Sequence, residues 1–177
     1  MYAHDSMARI TLLTGGARSG KSTHALKLAN SYRRKFFIAT GEALDEEMTA
    51  RIAFHRETRP PDFQTIEEPA NVARSIEAIE GRADVVVIDC LTLWISNLMH
   101  THNDDEPLLA EADALAAALA RASFASIVVT DEVGMGIVPM HPMERRYRDL
   151  LGWTNQKIAG IADEVLLMVA GYPIRVK

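Results

Sequence analysis

Residues 15–22, Gly-Gly-Ala-Arg-Ser-Gly-Lys-Ser, fit the pattern G-x-x-x-x-G-K-[ST], with Gly15, Gly20, Lys21 and Ser22 at its fixed positions. Each part has a physical task. The glycines let the backbone curl, so that Gly15, Gly16, Ala17, Arg18, Ser19 and Gly20 turn consecutive N–H groups toward phosphate oxygens. Lys21 places a point charge between the β- and γ-phosphates, and Ser22 offers a hydroxyl to Mg²⁺. The flanks suit the loop. Ile10-Thr11-Leu12-Leu13-Thr14 is a short apolar, β-branched run, and Thr23 to Ala29 is helix-forming with Ala25, Leu28 and Ala29 on one face. Strand, loop and helix in that order aim a helix N-terminus at an anion. The loop specifies a nucleoside triphosphate, but neither its base nor a reaction.

Three further groups could do chemistry beside it. Asp89 follows Val85-Val86-Val87-Ile88, and a carboxylate at the end of a buried strand is the expected Mg²⁺ partner of such a loop. The alternative is a cap for the helix that follows. Asp131 and Glu132 end the next buried run, before Val133-Gly-Met-Gly-Ile-Val-Pro139. A carboxylate there could orient an acceptor hydroxyl or hold a metal-bound water, or could be a solvated turn group. His55 shares a helical stripe with Leu44, Met48 and Ile52, and Arg51, Arg56 and Arg59 surround it in sequence. A neutral imidazole among guanidinium groups is a good nucleophile toward phosphorus. A hydrogen-bonded core histidine, or a plain anion-binding helix end, would have the same pattern. His24, on the helix after the loop, reads as structural. No Cys/His spacing of zinc type occurs, and Arg145, Arg146 and Arg148 read first as a solvated helix face, second as an anion site.

The elements that must position these groups alternate. Strands are expected at 35–40, 63–67, 84–89, 125–130 and 164–170, with 174–177 closing a hairpin. Helices are expected at 43–57, ended by Pro60-Pro61, and at 72–79, 91–98, 108–122 and 143–160, with 102–106 a polar loop. The run Val85 to Ile88 has the composition of a strand covered on both faces. This alternation means an α/β fold with a mainly parallel central sheet. Ligands of such sheets sit at the carboxyl ends of the strands, which gathers the phosphate loop, Thr40-Gly41-Glu42, Asp89 and Asp131-Glu132.

Composition sets the limits. The 177 residues are 48% hydrophobic, enough for one packed domain over 1–177, with 1–7 a loose leader in which Met7 offers an alternative start. A net charge of −5 argues against a nucleic-acid binder with a broad basic surface and leaves room only for a local basic cleft. The single cysteine, Cys90, sits in an apolar run, which suits a buried thiol in a reducing cytoplasm. No apolar run approaches the ~18 residues of a membrane span, and Met1 to Met7 has no secretory h-region.

Taken together, Thr14 to Ser22, Ile38-Ala39-Thr40, Asp45-Glu46-Glu47-Met48 with Ala50-Arg51-Ile52 and His55, Arg59-Pro60, and Glu132-Val-Gly-Met-Gly-Ile-Val-Pro139 resemble the bifunctional adenosylcobinamide kinase / adenosylcobinamide-phosphate guanylyltransferases of cobalamin biosynthesis. The likeness runs from about Ile10 to the C-terminus. It implies a RecA-like P-loop NTPase fold, a homotrimer, and two reactions. ATP or GTP phosphorylates the aminopropanol hydroxyl of adenosylcobinamide, and GMP from GTP is then transferred to that phosphate. It implies a guanylylated histidine at His55, with Lys21 and Glu132 also catalytic and with Ser22 and Asp89 on Mg²⁺. Nucleotide contacts carry over to the loop and to Glu42, Ala43, Leu44, Arg56, Arg59 and Glu68. The sequence departs from the family pattern in Phe54, where a second histidine can precede His55, and in Asp131, where Asn can occur. Without the resemblance, a small-molecule kinase lacking nucleotidyl transfer and a nucleotide-driven RecA-like switch both fit the loop.

Overall fold

The computed structural model describes residues 8–42, Glu46, Thr49 and 60–177. A seven-stranded sheet organises them. In chain order its strands are β1 (Ile10–Gly15), β2 (Lys35–Ala39), β3 (Phe63–Glu67), β4 (Val85–Asp89), β5 (Ala125–Val129), β6 (Glu164–Val169) and β7 (Tyr172–Arg175). The spatial order is β3-β2-β4-β5-β1-β6-β7. Every pairing is parallel except β6 with β7, a hairpin. The described helices are α1 (Lys21–Ala29), α2 (Val72–Ala78), α3 (Leu91–Thr101), α4 (Asp105–Arg121) and α5 (Pro142–Ile161). The expected α/β class and mainly parallel sheet are therefore found.

Alternation along the strands divides the core into two layers. Leu12, Phe36, Ile38, Val86, Ile88 and Val128 face a layer shared with α2, α3, α4 and α5. Leu13, Phe37, Val85, Val87, Ile127 and Val129 face the other, which receives Ala25 and Ala29 of α1. Small residues on α1 let that helix lie close to the sheet, which fixes where its N-terminus points. Register does the rest. Ala39 pairs with Asp89, Asp89 with Val129, and Leu13 with Val129, so the carboxyl ends of the four central strands finish level.

Two expectations change in detail. The stretch 102–106 is only partly a loop, because Asp105 and Glu106 form the first turn of α4. Carboxylates there meet the positive end of the helix dipole, which outweighs the polar, loop-like composition. Asp89 is not the cap of α3, since Cys90 occupies that position. The expected helix over 43–57 falls mostly outside the described residues; Glu46 and Thr49 within it are helical and exposed.

At the opposite edge Arg34 ties the start of β2 to the start of β4. Its Nε and Nη2 donate to Asp84 Oδ1 at 2.9 and 2.7 Å, and its backbone N–H donates to Oδ2 at 2.8 Å. The Arg34 side-chain hydrogen bond is the main cause that holds the Asp84 carboxyl below its usual range, followed by the backbone bond. A depressed folded pKa contributes stability above the unfolded value and loses it as pH falls through the folded value. Asp84→Asn is expected to lower the melting temperature modestly at pH 7, as suits an exposed pair. In melts across pH, the gap to the parent should begin to close only below about pH 4.

Candidate active site

The phosphate loop leaves β1 at Gly15, whose φ is +140°. A Cβ at Gly15 would lie 2.5 Å from the Met168 carbonyl of β6 and 3.1 Å from Ser19 Oγ. The backbone oxygen cannot step aside, so only glycine fits. Gly15→Ala is expected to cost about 1–3 kcal/mol by overpacking, read as a lower denaturant midpoint. The far side of the loop is also supported. Gly171 N–H, in the β6–β7 turn, donates to the Ser19 carbonyl at 2.9 Å. Gly20, at φ +94°, passes so near that a Cβ would meet Gly171 Cα at 3.2 Å. Ser19 is buried, while Gly16, Ala17 and Arg18 are exposed along the rim.

Lys21 is folded into this cradle, its side chain only 8% exposed. Nζ donates to Gly15 O at 3.0 Å and Gly16 O at 2.6 Å, with Ser19 Oγ at 3.3 Å. It also pairs with Asp131 Oδ1 at 2.7 Å. Asp131 is held from two sides: its N–H donates to Thr92 Oγ1 at 2.9 Å, and its carbonyl accepts from Asn155 Nδ2 at 3.1 Å. Asn155 in turn accepts from Thr130 Oγ1 at 2.7 Å. Tyr147, whose phenol is pushed up chiefly by burial, donates to the Thr92 carbonyl at 3.2 Å.

Asp131 and Glu132 are adjacent but differently employed. Glu132 N–H donates to Gly15 O at 3.1 Å, which ties the end of β5 to the loop. The Glu132 carboxylate, however, accepts from Gly134 N–H at 2.7 Å within its own turn. The carboxylate that reaches the lysine is Asp131. Beyond Glu132 the chain is apolar and exposed, with Met135 80% and Ile137 97% accessible. Arg145 anchors its far end through the carbonyls of Pro139 and Met140, at 2.9 and 2.7 Å. Arg146 pairs with Asp105 and Arg148 with Asp149, so each of the three arginines is engaged within the chain.

Asp89 ends β4, with one strand between it and β1, so the two strand axes are about 10 Å apart. Behind it Thr40, fully buried, exchanges hydrogen bonds with the backbone of Cys90 at 2.7 and 2.8 Å. Asn97 of α3 donates to the carbonyls of Thr40 and Pro69 at 2.7 and 3.0 Å. Burial, with Asp89 adding to it, pushes the Cys90 thiol up to about 12, so Cys90 is the inert thiol expected. His24 on α1 has its imidazole pKa lowered, mostly by burial and then by Lys27, against an opposing pull from Glu164.

Other sequence-predicted residues are farther away. Glu42 follows β2 and is exposed. Glu68 follows β3, four strands from β1, or about 19 Å along the sheet. Its Oε1 accepts the N–H groups of Ala70 and Asn71 at 3.0 and 2.8 Å. Ala43, Leu44, His55, Arg56 and Arg59 lie outside the described residues. Among the described residues no group of three or more His, Cys, Asp or Glu side chains is placed to hold a metal ion, and no helix is long and apolar enough to cross a membrane.

The sequence assigned no site role to Thr92, Asn97 or Asn155, and it gave Gly171 only the hairpin turn that it occupies. Asn97 carried a signal, as a polar residue inside the apolar run Leu91 to Leu98. The others carried none, because their roles come from contacts distant in sequence.

Comparison with known proteins bears on the fold and the family. Two crystal structures share the fold, a KaiC-like protein from Pyrococcus horikoshii OT3 and the RadB recombinase. Both align at a TM-score of 0.50 over 90% of this chain and 70% and 73% of theirs, with 18% and 17% identity. They share the RecA-like α/β sheet expected from the sequence. The bifunctional adenosylcobalamin biosynthesis protein CobU of Escherichia coli (strain K12) is 38% identical over 178 residues, 94% of this chain and 98% of that protein. CobP of Pseudomonas aeruginosa, given the same bifunctional description, is 41% identical over 167 residues, 94% of this chain and 96% of that protein. The family model described as cobinamide kinase / cobinamide phosphate guanyltransferase matches residues 11–176. With the phosphate loop, its lysine and the RecA-like sheet beneath them, this chain is an enzyme and belongs to the cobinamide kinase / cobinamide phosphate guanyltransferase family.

Proposed function

We propose that this enzyme phosphorylates the aminopropanol hydroxyl of adenosylcobinamide with ATP or GTP, then moves GMP from GTP onto that phosphate through a guanylylated His55. In the first step the hydroxyl oxygen bonds to the γ-phosphorus, the bond to the β–γ bridging oxygen breaks, and ADP or GDP departs. In the second the imidazole attacks the α-phosphorus and pyrophosphate leaves; the cobinamide phosphate oxygen then displaces the imidazole to give adenosylcobinamide-GDP. The observation that carries this reading is Lys21, buried in a glycine-curled loop at the carboxyl edge of the sheet, in a chain of this family.

The residues suit Mg²⁺ in the way nucleotide sites use it. Such an ion takes one or two protein oxygens and completes its shell with phosphates and water. Ser22 and Asp89 would be the two, and the ion would neutralise charge on the phosphates. Lys21 holds the transferring phosphoryl group. Glu132, tethered to the loop through its backbone, would orient the acceptor hydroxyl and take its proton. Glu42, Ala43, Leu44, Arg56, Arg59 and Glu68 would contact the nucleotide that feeds His55.

The test is to incubate the protein with Mg²⁺ and GTP labelled at the α-phosphate, and to map any label by peptide analysis. Acid-labile, base-stable label on His55 is expected. Bound GTP with no protein-linked label would leave a small-molecule kinase. The proposal includes a homotrimer, because Met135, Ile137, Met140 and the exposed edge strand β7 offer apolar area and unpaired backbone for subunit contacts, and a cytoplasmic location, which suits a chain with the single cysteine Cys90. Sedimentation should give three chains per particle; a monomer at micromolar concentration would remove that element.

A further inference from the structure

Four oxygens surround the Lys21 ammonium: Gly15 O, Gly16 O, Ser19 Oγ and Asp131 Oδ1, at 2.6 to 3.3 Å. An ammonium has three protons, so the protein already satisfies it. A phosphate oxygen reaching Lys21 must take the place of one of them. The two carbonyls belong to the cradle itself, and Ser19 is an uncharged, buried residue whose own carbonyl is held by the Gly171 N–H. Asp131 is a side chain, carries the same sign of charge as the phosphate, and is 25% exposed where the Lys21 side chain is 8% exposed. We infer that the Asp131 carboxylate is a built-in competitor for the nucleotide's phosphates at Lys21, and so sets the affinity of the loop for nucleoside triphosphates. The inference rests on the proposal that the loop binds ATP and GTP.

Two features keep the competitor in place. Thr92 and Asn155 grip the Asp131 backbone, so a displaced carboxylate stays near the phosphates and repels them. Glu132 is turned onto Gly134 and does not share the work. The competition therefore belongs to one carboxylate, and its effect should be large enough to measure in binding alone.

Binding of ATP and of GTP is to be measured by calorimetry in EDTA, where charge competition is read without a metal, for the parent, Asp131→Asn and Asp131→Ala. Melting temperatures without added nucleotide are measured in parallel. Both variants are expected to bind about tenfold more tightly, equal to ~1.4 kcal/mol, and the gain should shrink as salt is raised. Both are expected to melt about 3 °C lower without nucleotide, since Lys21 loses its counter-charge. Lower stability with tighter binding is a pair of signs that a merely structural role would not give. Unchanged or weaker binding by variants that still melt cooperatively overturns the inference. So does a gain that appears only with Mg²⁺, which would make Asp131 act through the metal. A parent that binds neither nucleotide in EDTA or Mg²⁺ removes the nucleotide reading itself.

Discussion

Lys21→Ala is expected to lower both phosphoryl transfer and GMP transfer by at least about 10²-fold in kcat/KM, whereas His55→Ala should remove only GMP transfer. The first half follows from electrostatics. A preorganised charge aimed at a transferring phosphoryl group contributes about 10²–10³ in rate in a water-poor site, and Lys21 is preorganised by Gly15 O, Gly16 O and Ser19 Oγ before any substrate arrives. Lys21→Arg should not rescue it. The cradle packs oxygens on all sides of a compact ammonium, and a planar guanidinium has a different shape and donor geometry. The second half follows from the proposed covalent step: without the imidazole the proposed P–N bond has no nucleophile, whereas the proposed γ-phosphoryl transfer at the loop does not use His55. Separate assays of adenosylcobinamide phosphate and adenosylcobinamide-GDP formation resolve the two. Loss of both reactions in His55→Ala, in a protein that still binds GTP, would mean that the histidine serves the loop rather than a second chemistry.

The same residues show what a sequence can convey about such a site. The phosphate loop was legible because its spacing encodes its backbone path, and the parallel sheet was legible because Val85 to Ile88 and Ile127 to Val129 have no polar side to expose. The choice between Asp131 and Glu132 was not. Both follow one strand, β5, and which carboxylate reaches Lys21 depends on the path of the turn, where Gly134 N–H captures Glu132. Strand order was equally hidden, and with it the fact that β6 lies against β1 and lends Met168 and Gly171 to the loop. These contacts join residues some 150 positions apart, and no local pattern announces them. Asp105 and Glu106 mark the opposite failure: a polar string looked like a loop, although the helix dipole makes acidic residues good openers of a helix.

Trp94→Ala is expected to be the most destabilising single change in α3, by about 3–5 kcal/mol. For a chain of this size that lowers the melting temperature by roughly 10 °C. Trp94 is fully buried among the residues of the larger core layer, so its removal leaves a cavity that the sheet and α2 cannot close. It also has a polar duty, since Nε1 donates to the Ala70 carbonyl at 2.7 Å. Trp94→Phe separates the two contributions. Phenylalanine keeps much of the volume but leaves that carbonyl without its donor, a loss of about 1–3 kcal/mol where the group is buried. The consequence should reach the carboxyl edge of the sheet. Asn97, one turn along α3, holds Thr40 and Pro69, and Trp94 holds the next residue, so α3 clamps the turn at 68–71 through two neighbouring carbonyls. When Trp94 is lost, amide exchange at Ala70 and Asn71 is expected to accelerate well before that of β4, because their Glu68 bonds lie in the loosened turn while β4 keeps both its partner strands. Uniform acceleration across the sheet would instead mean that Trp94 supports the whole layer and not this turn.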